Sequence, residues 1–203
     1  MQQSDAHAFW RDPASDKRVS AKYKSTCVPE FFPSLKAVSD MWVGIFEKYV
    51  PKDATILELG CNCGRNLHWL RKAGYRWATG VEINPRAREV AEREFGAETA
   101  ALIATSSIED YVDPDKWFGV VFTSGVLMHL HPESEWVFQI MADMARGWLM
   151  CSEVEAQADT KKNFYEWPRN YRTIFEGLGF EQVHEQLATA QSGRTILRVF
   201  KRR

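Results

Sequence analysis

Apolar residues recur along the first quarter of the chain with the period of a helix. From Pro33 onward they return every three or four positions as far as Tyr49, and Pro51 follows. This spacing predicts a helix with one buried face, ended by the proline. The apolar face consists of Leu35, Val38, Met41, Trp42, Ile45, Phe46 and Tyr49. Residues 1–32 show no such period, and we expect them to be irregular.

Beyond Pro51 the pattern changes to short apolar runs separated by helical segments. The runs typical of strands are 55–59, 77–83, 100–105, 118–123, 147–154, 180–187 and 195–201. Helices are predicted at 66–72, after Asn84 and Pro85, at 132–145 and at 168–177. Alternating apolar strands and helices indicate a parallel sheet covered on both faces. The last two strands have no helix between them, which predicts an antiparallel hairpin at the end of the sheet.

Length and composition indicate one soluble domain. The 203 residues are enough for one complete core, and we divide them into an N-terminal lid segment and helix at 1–52 and a ligand-binding domain at 53–203. The formal net charge of -1 gives no long-range attraction to nucleic acid or to an anionic membrane. Without an apolar run of about 18 residues or a secretory signal, we expect a cytoplasmic protein whose four cysteines are reduced.

The stretch "ILELGCNCGRN" follows the first predicted strand and contains a Cys-x-Cys pair. The four cysteines of the chain do not have the spacing of a zinc site. We interpret Cys61 and Cys63 as small residues of a backbone loop, and metal or redox chemistry is the alternative. Gly60 and Gly64 allow a sharp turn and a close approach of a ligand. The helix that follows points its first N–H groups at that ligand.

Two carboxylates lie where the first two strands end. Glu58 suits a cationic or donor-rich ligand, although a cap or an ion pair is the alternative. Glu82, 24 residues later, can accept both hydrogens of a ribose diol. Asn62 replaces the middle glycine that a pyrophosphate needs for close backbone approach. The loop therefore favours a ligand with ribose and no phosphate over a nicotinamide or flavin dinucleotide.

The motifs "ILELGCNCGRN", "GVEINP" and "FTSGVLMHLHPE", in that order, resemble class I S-adenosylmethionine (SAM)-dependent methyltransferases. The resemblance covers about residues 53–203 and extends more distantly to methylases associated with bacterial sugar and natural-product biosynthesis. It implies a Rossmann-like, seven-stranded, mostly parallel sheet with helices on both faces and an antiparallel C-terminal hairpin. It also implies SAM as cofactor and S-adenosylhomocysteine as product.

The resemblance assigns cofactor contacts by position. The implied cofactor residues are Glu58, Gly60, Asn62, Gly64, Arg65, Asn66, Glu82, Ile83, Ser107, Ile108, Thr123, Ser124 and Gly125. Among them, Glu58 would meet the amino group of SAM, Glu82 the ribose hydroxyls and Ile83 the adenine. Arg65 or Tyr23 would meet the carboxylate. Many family members have an aspartate near Ser107, so the residue that recognises the adenine amine stays open.

Methyl transfer to oxygen usually needs a base, whereas a neutral amine needs only orientation and desolvation. The candidate catalytic residues are His129 first, His131 second and Glu153. Each has a structural alternative, as a cap, a packing residue or a solvated carboxylate. The His-x-His pair has no third ligand at a suitable spacing, so we predict no metal.

Four residues are candidates for contact with the acceptor. They are Tyr23, Glu155, Tyr165 and Tyr171. For the tyrosines core or lid packing is the alternative, and for Glu155 it is a solvated surface position. The mixed aromatic and charged N-terminal segment could fold over the ligand as a lid or only pack against the domain.

The sequence thus predicts an enzyme that transfers a methyl group from SAM to an oxygen or nitrogen of a small molecule. The alternatives are a nucleic-acid or protein methyltransferase and a SAM- or nucleotide-binding regulator without catalysis. An NAD-dependent oxidoreductase is disfavoured by Asn62 and by the downstream motifs.

Overall fold

Seven strands form a single sheet in the computed structural model, which describes residues 2–17, 29–155, 165–188 and 195–203. The strands are β1 (Ile56–Leu59), β2 (Ala78–Glu82), β3 (Ile103–Thr105), β4 (Phe118–Ser124), β5 (Ala145–Val154), β6 (Phe180–Ala188) and β7 (Thr195–Arg202). Their order is β3-β2-β1-β4-β5-β7-β6. β1 to β5 are parallel, and β7 runs antiparallel to both β5 and β6. The predicted mostly parallel sheet with its C-terminal hairpin is confirmed.

Helices cover both faces of this sheet. The α-helices are α1 (Gln3–Arg11), α2 (Lys36–Tyr49), α3 (Arg65–Lys72), α4 (Arg86–Phe95), α5 (Ala97–Ala100), α6 (Ile108–Tyr111), α7 (Trp136–Met144) and α8 (Tyr171–Gly177). Short 3-10 helices lie at Pro29–Ser34, Leu127–His129 and Pro132–Ser134. Two apolar cores result, one including residues of α2 and α3 and the other residues of α7 and α8. Consecutive residues of β1, Ile56 and Leu57, belong to opposite cores, as the alternation of a strand requires.

Local differences from the sequence prediction have identifiable causes. Residues Gln3–Arg11 form a helix where we expected irregular chain, because Ala6 and Phe9 are buried in a small cluster with Tyr165, which lies far away in the sequence. Residues Ala97–Ala100 form a short helix, so the third strand begins only at Ile103. The helix predicted at 132–145 is divided into Pro132–Ser134 and Trp136–Met144.

The strand order locates the place where ligands bind in such sheets. In the sheet, β2 and β3 lie on one side of β1, and β4 and the later strands lie on its other side. The crevice between the carboxyl ends of β1 and β4 is therefore the point where the strand order reverses. Within the described ranges, no helix has the length and apolar character needed to cross a membrane.

Candidate active site

The loop after β1 has a backbone that few residues can adopt. Gly60, Asn62 and Gly64 have φ values of 69°, 48° and 68°. Glycine has no steric penalty in this left-handed region, and asparagine is among the residues that tolerate it. A Cβ atom on Gly60 would also lie 2.6 Å from Cγ2 of Val126. Conformation and packing therefore both require glycine at the first position of the loop.

Asn62 ties this loop to the end of β2. Its Oδ1 accepts a hydrogen bond from the N–H of Cys63 at 2.7 Å, and its own N–H donates to Oε2 of Glu82 at 3.0 Å. The other oxygen of Glu82 accepts from the N–H of Asn84 at 2.9 Å. Burial raises the pKa of Glu82, although these backbone donors oppose the shift. Glu82, at the end of β2, is thus hydrogen-bonded to the loop after β1.

Glu58 is a buried carboxylate with one oxygen satisfied. Its Oε1 accepts from Nδ2 of Asn66 at 2.6 Å, while Oε2 is buried without a hydrogen-bond partner. Burial raises the pKa of Glu58 to about 8. An unpaired buried polar atom costs about 1–3 kcal/mol, so this position is prepared for a hydrogen-bond donor.

A pocket opens beside Glu58 at the carboxyl end of β1. Its lining residues are Glu58, Gly60, Cys61, Asn62, Cys63, Arg65, Asn66 and Ser124. Six of the eight were predicted from the sequence as cofactor residues, and the two cysteines were interpreted as incidental. Burial raises the pKa of Cys63 to about 12 and that of Cys61 well above its ordinary value, so both remain thiols. No group of three or more potential metal ligands occurs in the part of the chain that the structure describes.

Three other predicted cofactor residues have structural contacts near this pocket. Gly64 is the N-cap of α3. Thr123 donates its hydroxyl to Oε1 of Glu153 at 2.8 Å. Gly125 has a φ of 71° and donates its N–H to the carbonyl of Ser152 at 2.8 Å.

Ser107, another predicted cofactor residue, caps α6 by accepting a hydrogen bond from the N–H of Asp110 at 3.1 Å. Ile108, beside it, is buried, and Ile83 is half-buried just after β2. Ser107, Ile83 and Ile108 therefore lie at the carboxyl ends of β2 and β3 without lining the pocket beside Glu58. Their predicted contact with adenine stays a prediction.

Sequence reasoning missed two residues of α2. Nε1 of Trp42 donates to the hydroxyl of Ser124, a pocket residue, at 3.2 Å. Ser39 is fully buried and contacts Arg65 and Asn66. The signal was present, because Ser39 lies four residues after Leu35 and is a polar residue on the predicted apolar face. Trp42 was counted as core, although a buried indole N–H usually needs a partner.

His129, the first catalytic candidate, lies in the 3-10 helix after β4. Its Nδ1 is 2.8 Å from the carbonyl oxygen of Tyr165, and its ring centroid is 4.3 Å from that of Trp10. A carbonyl can only accept, so Nδ1 carries the hydrogen and Nε2 carries the lone pair. Burial lowers the pKa of His129 to about 4, so the imidazole is neutral at pH 7.

The other two catalytic candidates have structural contacts. Nδ1 of His131 accepts from the N–H of Glu133 at 3.3 Å and caps the 3-10 helix Pro132–Ser134. Glu153 is fully buried, and its Oε2 accepts from the N–H of Val126 at 2.9 Å. Burial raises the pKa of Glu153 to about 7. Because Oε1 also has a donor, Glu153 supports the loop after β4. Its predicted catalytic role stays a prediction.

Two of the residues predicted to contact the acceptor, Glu155 and Tyr171, are buried inside the protein. Both oxygens of Glu155 bind Arg198, at 2.5 and 2.8 Å, in a buried ion pair that neither alternative anticipated. Tyr171 is fully buried in the core that also contains Phe138 and Phe175, which agrees with the packing alternative.

Tyr165 is buried against Phe9, and its hydroxyl donates to Asp16 at 2.9 Å. Its side chain therefore attaches the N-terminal segment, and its carbonyl is the group that contacts His129. Tyr23 lies outside the described residues.

Comparisons with known proteins agree with this geometry. A family described as "Methyltransferase domain" matches residues 36–197. Magnesium protoporphyrin IX methyltransferase from Synechocystis PCC 6803, crystallised with S-adenosylhomocysteine, superposes with a TM-score of 0.72 at 14% identity, over 100% of both chains. The sugar N-methyltransferase KedS8 from Streptoalloteichus gives 0.63 at 16% identity, over 83% of this chain and 88% of its own. N-methyltransferase NodS from Bradyrhizobium japonicum gives 0.61 at 17%, over 83% and 97%. No curated protein matches the chain.

Proposed function

The chain belongs to the methyltransferase domain family, and from this premise we propose that it transfers a methyl group from SAM to an oxygen or nitrogen atom of a small-molecule acceptor. The proposal rests above all on Oε2 of Glu58, which is buried in the pocket wall without a partner. The amino group of SAM is a cationic donor of hydrogen bonds. It would satisfy this oxygen and stabilise the ionised carboxylate.

The rest of the pocket fits the other parts of SAM. The loop Gly60–Gly64 has small side chains and leaves its backbone open to a ligand. Asn62 occupies the position at which a pyrophosphate-binding loop has a glycine, which favours a ligand without phosphate. Glu82, bonded to this loop, has the position from which a carboxylate binds ribose hydroxyls. Arg65 lines the same pocket and supplies positive charge for the carboxylate of SAM. Two solved structures of similar fold, both of magnesium protoporphyrin IX methyltransferase, contain S-adenosylhomocysteine and SAM respectively.

We assign His129 as the group that takes a proton from the acceptor. SAM supplies an electrophilic methyl group on a sulfonium, whose leaving group is the neutral thioether S-adenosylhomocysteine. The carbonyl of Tyr165 orients the imidazole and fixes its tautomer, so the lone pair of Nε2 is available. The low pKa keeps this nitrogen unprotonated before each turnover.

The surroundings of His129 favour a small acceptor. The ring of Trp10 on α1 and the carbonyl of Tyr165 both contact His129, so two aromatic residues from distant segments lie beside the proposed base. Structures of similar fold include a sugar N-methyltransferase and a methyltransferase with bound 1,6-didemethyltoxoflavin. Both of these enzymes are named for small molecules, which supports this acceptor class over RNA or protein.

Two measurements test the function. S-adenosylhomocysteine at millimolar concentration should raise the melting temperature, and NAD should not, because only a ligand of the folded state stabilises it. The purified protein should then move labelled methyl groups from SAM into the small-molecule fraction of a cell extract. Label recovered only in RNA or protein would support the alternative acceptors, and binding without any transfer would support a regulator.

A further inference from the structure

Ser39 is a polar residue in an otherwise apolar helix face. The buried residues of α2 are Val38, Ser39, Trp42, Ile45 and Phe46, and Ser39 has no exposed surface. A buried hydroxyl is costly unless it is hydrogen-bonded. Alanine would pack at this position without burying a polar group. The role of the hydroxyl must therefore lie in its hydrogen-bond partners.

The partners of Ser39 are pocket residues. Its hydroxyl donates to Oδ1 of Asn66 at 2.7 Å and accepts from Nε of Arg65 at 2.9 Å. Because Arg65 is always a donor, the single hydrogen of the hydroxyl must point at Asn66. A second donor, the guanidinium of Arg65, reaches the same Oδ1 at 3.2 Å.

These bonds determine which way the amide of Asn66 points. With Oδ1 directed at Ser39, Nδ2 faces Glu58 and donates to its Oε1 at 2.6 Å. The reversed amide would place its NH₂ group against the guanidinium of Arg65, which can only donate, and would remove the donor that Glu58 now has. The orientation of Asn66 in turn occupies one oxygen of Glu58 and leaves Oε2 for the pocket.

We propose that Ser39 is a positioning residue, which acts through Asn66 to direct the unpaired oxygen of Glu58 toward the amino group of SAM. The inference rests on the proposed function and deepens it. It makes α2, which lies before the strand–loop–helix motif in the sequence, a part of the cofactor site. Its effect is confined to the amino-acid end of the cofactor, because Ser39 contacts the pocket through Arg65 and Asn66, beside Glu58.

This confinement allows a sharp test with two ligands. S-adenosylhomocysteine carries the amino-acid group, and 5′-methylthioadenosine lacks it but keeps the adenosine and the sulfur. Ser39→Ala should weaken S-adenosylhomocysteine about five- to tenfold, the effect of one lost hydrogen bond, and change 5′-methylthioadenosine less than about twofold. Both dissociation constants are measured by calorimetry on the full chain.

Three further variants control the test. Ser134 is also fully buried and hydrogen-bonded, to Glu109 at 2.6 Å, but lies outside the pocket, so Ser134→Ala should leave both affinities unchanged. Ser39→Cys leaves no cavity, because the thiol is somewhat larger than the hydroxyl, but it bonds poorly, so it should resemble Ser39→Ala and replaces it if that variant does not fold. In an Asn66→Ala background, Ser39→Ala should add less than about twofold, because Ser39 acts through Asn66.

The outcomes separate this inference from the proposed function. Equal losses for both ligands would make Ser39 a packing residue and overturn the inference, as would no loss for either. If the folded wild-type protein does not bind S-adenosylhomocysteine at all, the proposed function itself fails.

Discussion

The two sides of the candidate site are constructed differently. The cofactor side, formed by residues 58–66 with Glu82, comes from one strand–loop–helix unit and the end of the neighbouring strand. Three backbone positions there have positive φ. One carboxylate oxygen in its wall, Oε2 of Glu58, is left without a partner.

The proposed acceptor side, formed by α1, residues 126–131 and residues 165–167, comes from segments far apart in the sequence. Most of its polar groups are already used. The oxygens of Glu153 hold the loop after β4, His131 caps a 3-10 helix, and the hydroxyl of Tyr165 bonds to Asp16. The lone pair of His129 Nε2 is the group there that we assign to chemistry.

Glu58 and Glu153 show how free hydrogen-bonding capacity separates a proposed binding group from a supporting group. Glu58 and Glu153 are both fully buried glutamates at the ends of strands, and burial raises the pKa of both. Sequence position alone makes them equivalent. The two differ in the hydrogen-bond partners of their carboxylate oxygens, because one oxygen of Glu58 has none. The predictions below test the two sides of the candidate site.

The largest effect is expected on the acceptor side. His129→Ala should lower the rate of labelled methyl transfer by about 100-fold or more, the usual contribution of a general base, while S-adenosylhomocysteine affinity stays within about twofold. His131→Ala is the matched control, because loss of a cap lowers stability and not the rate of transfer. Full activity of His129→Ala would leave the acceptor side without a base and favour an amine acceptor.

The next effect concerns Glu82. Glu82→Ala should weaken S-adenosylhomocysteine by about 1–3 kcal/mol, because two charge-assisted hydrogen bonds to the ribose are lost. The exposed Glu89 on α4 provides the control, and Glu89→Ala should bind normally. Calorimetry gives both values, and unchanged affinity of Glu82→Ala would remove this residue from the site.

A backbone substitution tests whether the cofactor side depends on its loop conformation. Gly60→Ala should lower the free energy of unfolding by about 1–2 kcal/mol or more, because alanine is strained at a φ of 69° and its Cβ would meet Val126. Gly44→Ala, inside α2 where a Cβ meets no atom within 4 Å, should stabilise by roughly 0.5–1 kcal/mol. Urea unfolding measures both, and equal stabilities would contradict the account of the loop.

The smallest effect is expected for the thiols in the same loop. Cys61→Ala and Cys63→Ala, singly or together, should change S-adenosylhomocysteine affinity by less than about twofold. Both thiols stay protonated, and we assign neither of them a contact with the cofactor. Some loss of melting temperature is expected, since both side chains are buried. Abolished binding in the properly folded double variant would show that the Cys-x-Cys pair has a chemical role.

The sequence predicted what depends on local chemistry. The order of strands and helices, the glycine loop and the pair Glu58 and Glu82 follow from short-range patterns, and the structure brings these residues together. Glu155 was misjudged because its partner, Arg198, lies 43 positions away on the antiparallel strand β7. Pairings between distant segments determine whether a polar side chain is free or occupied, and no local pattern records them.

The pH dependence of S-adenosylhomocysteine binding tests the central claim most directly, because that claim concerns the unpaired oxygen of Glu58. The pKa of Glu58 is raised to about 8 in the unliganded protein, so below that pH the carboxyl must lose a proton to pair with the ligand's amino group. Calorimetry should therefore show affinity falling as the pH is lowered from about 8 to 6, by up to about tenfold per pH unit. Glu58→Gln cannot titrate, and its binding should be weaker at pH 8 and independent of pH across this range. No binding to the wild-type protein, or the same pH dependence in Glu58→Gln, would contradict the account.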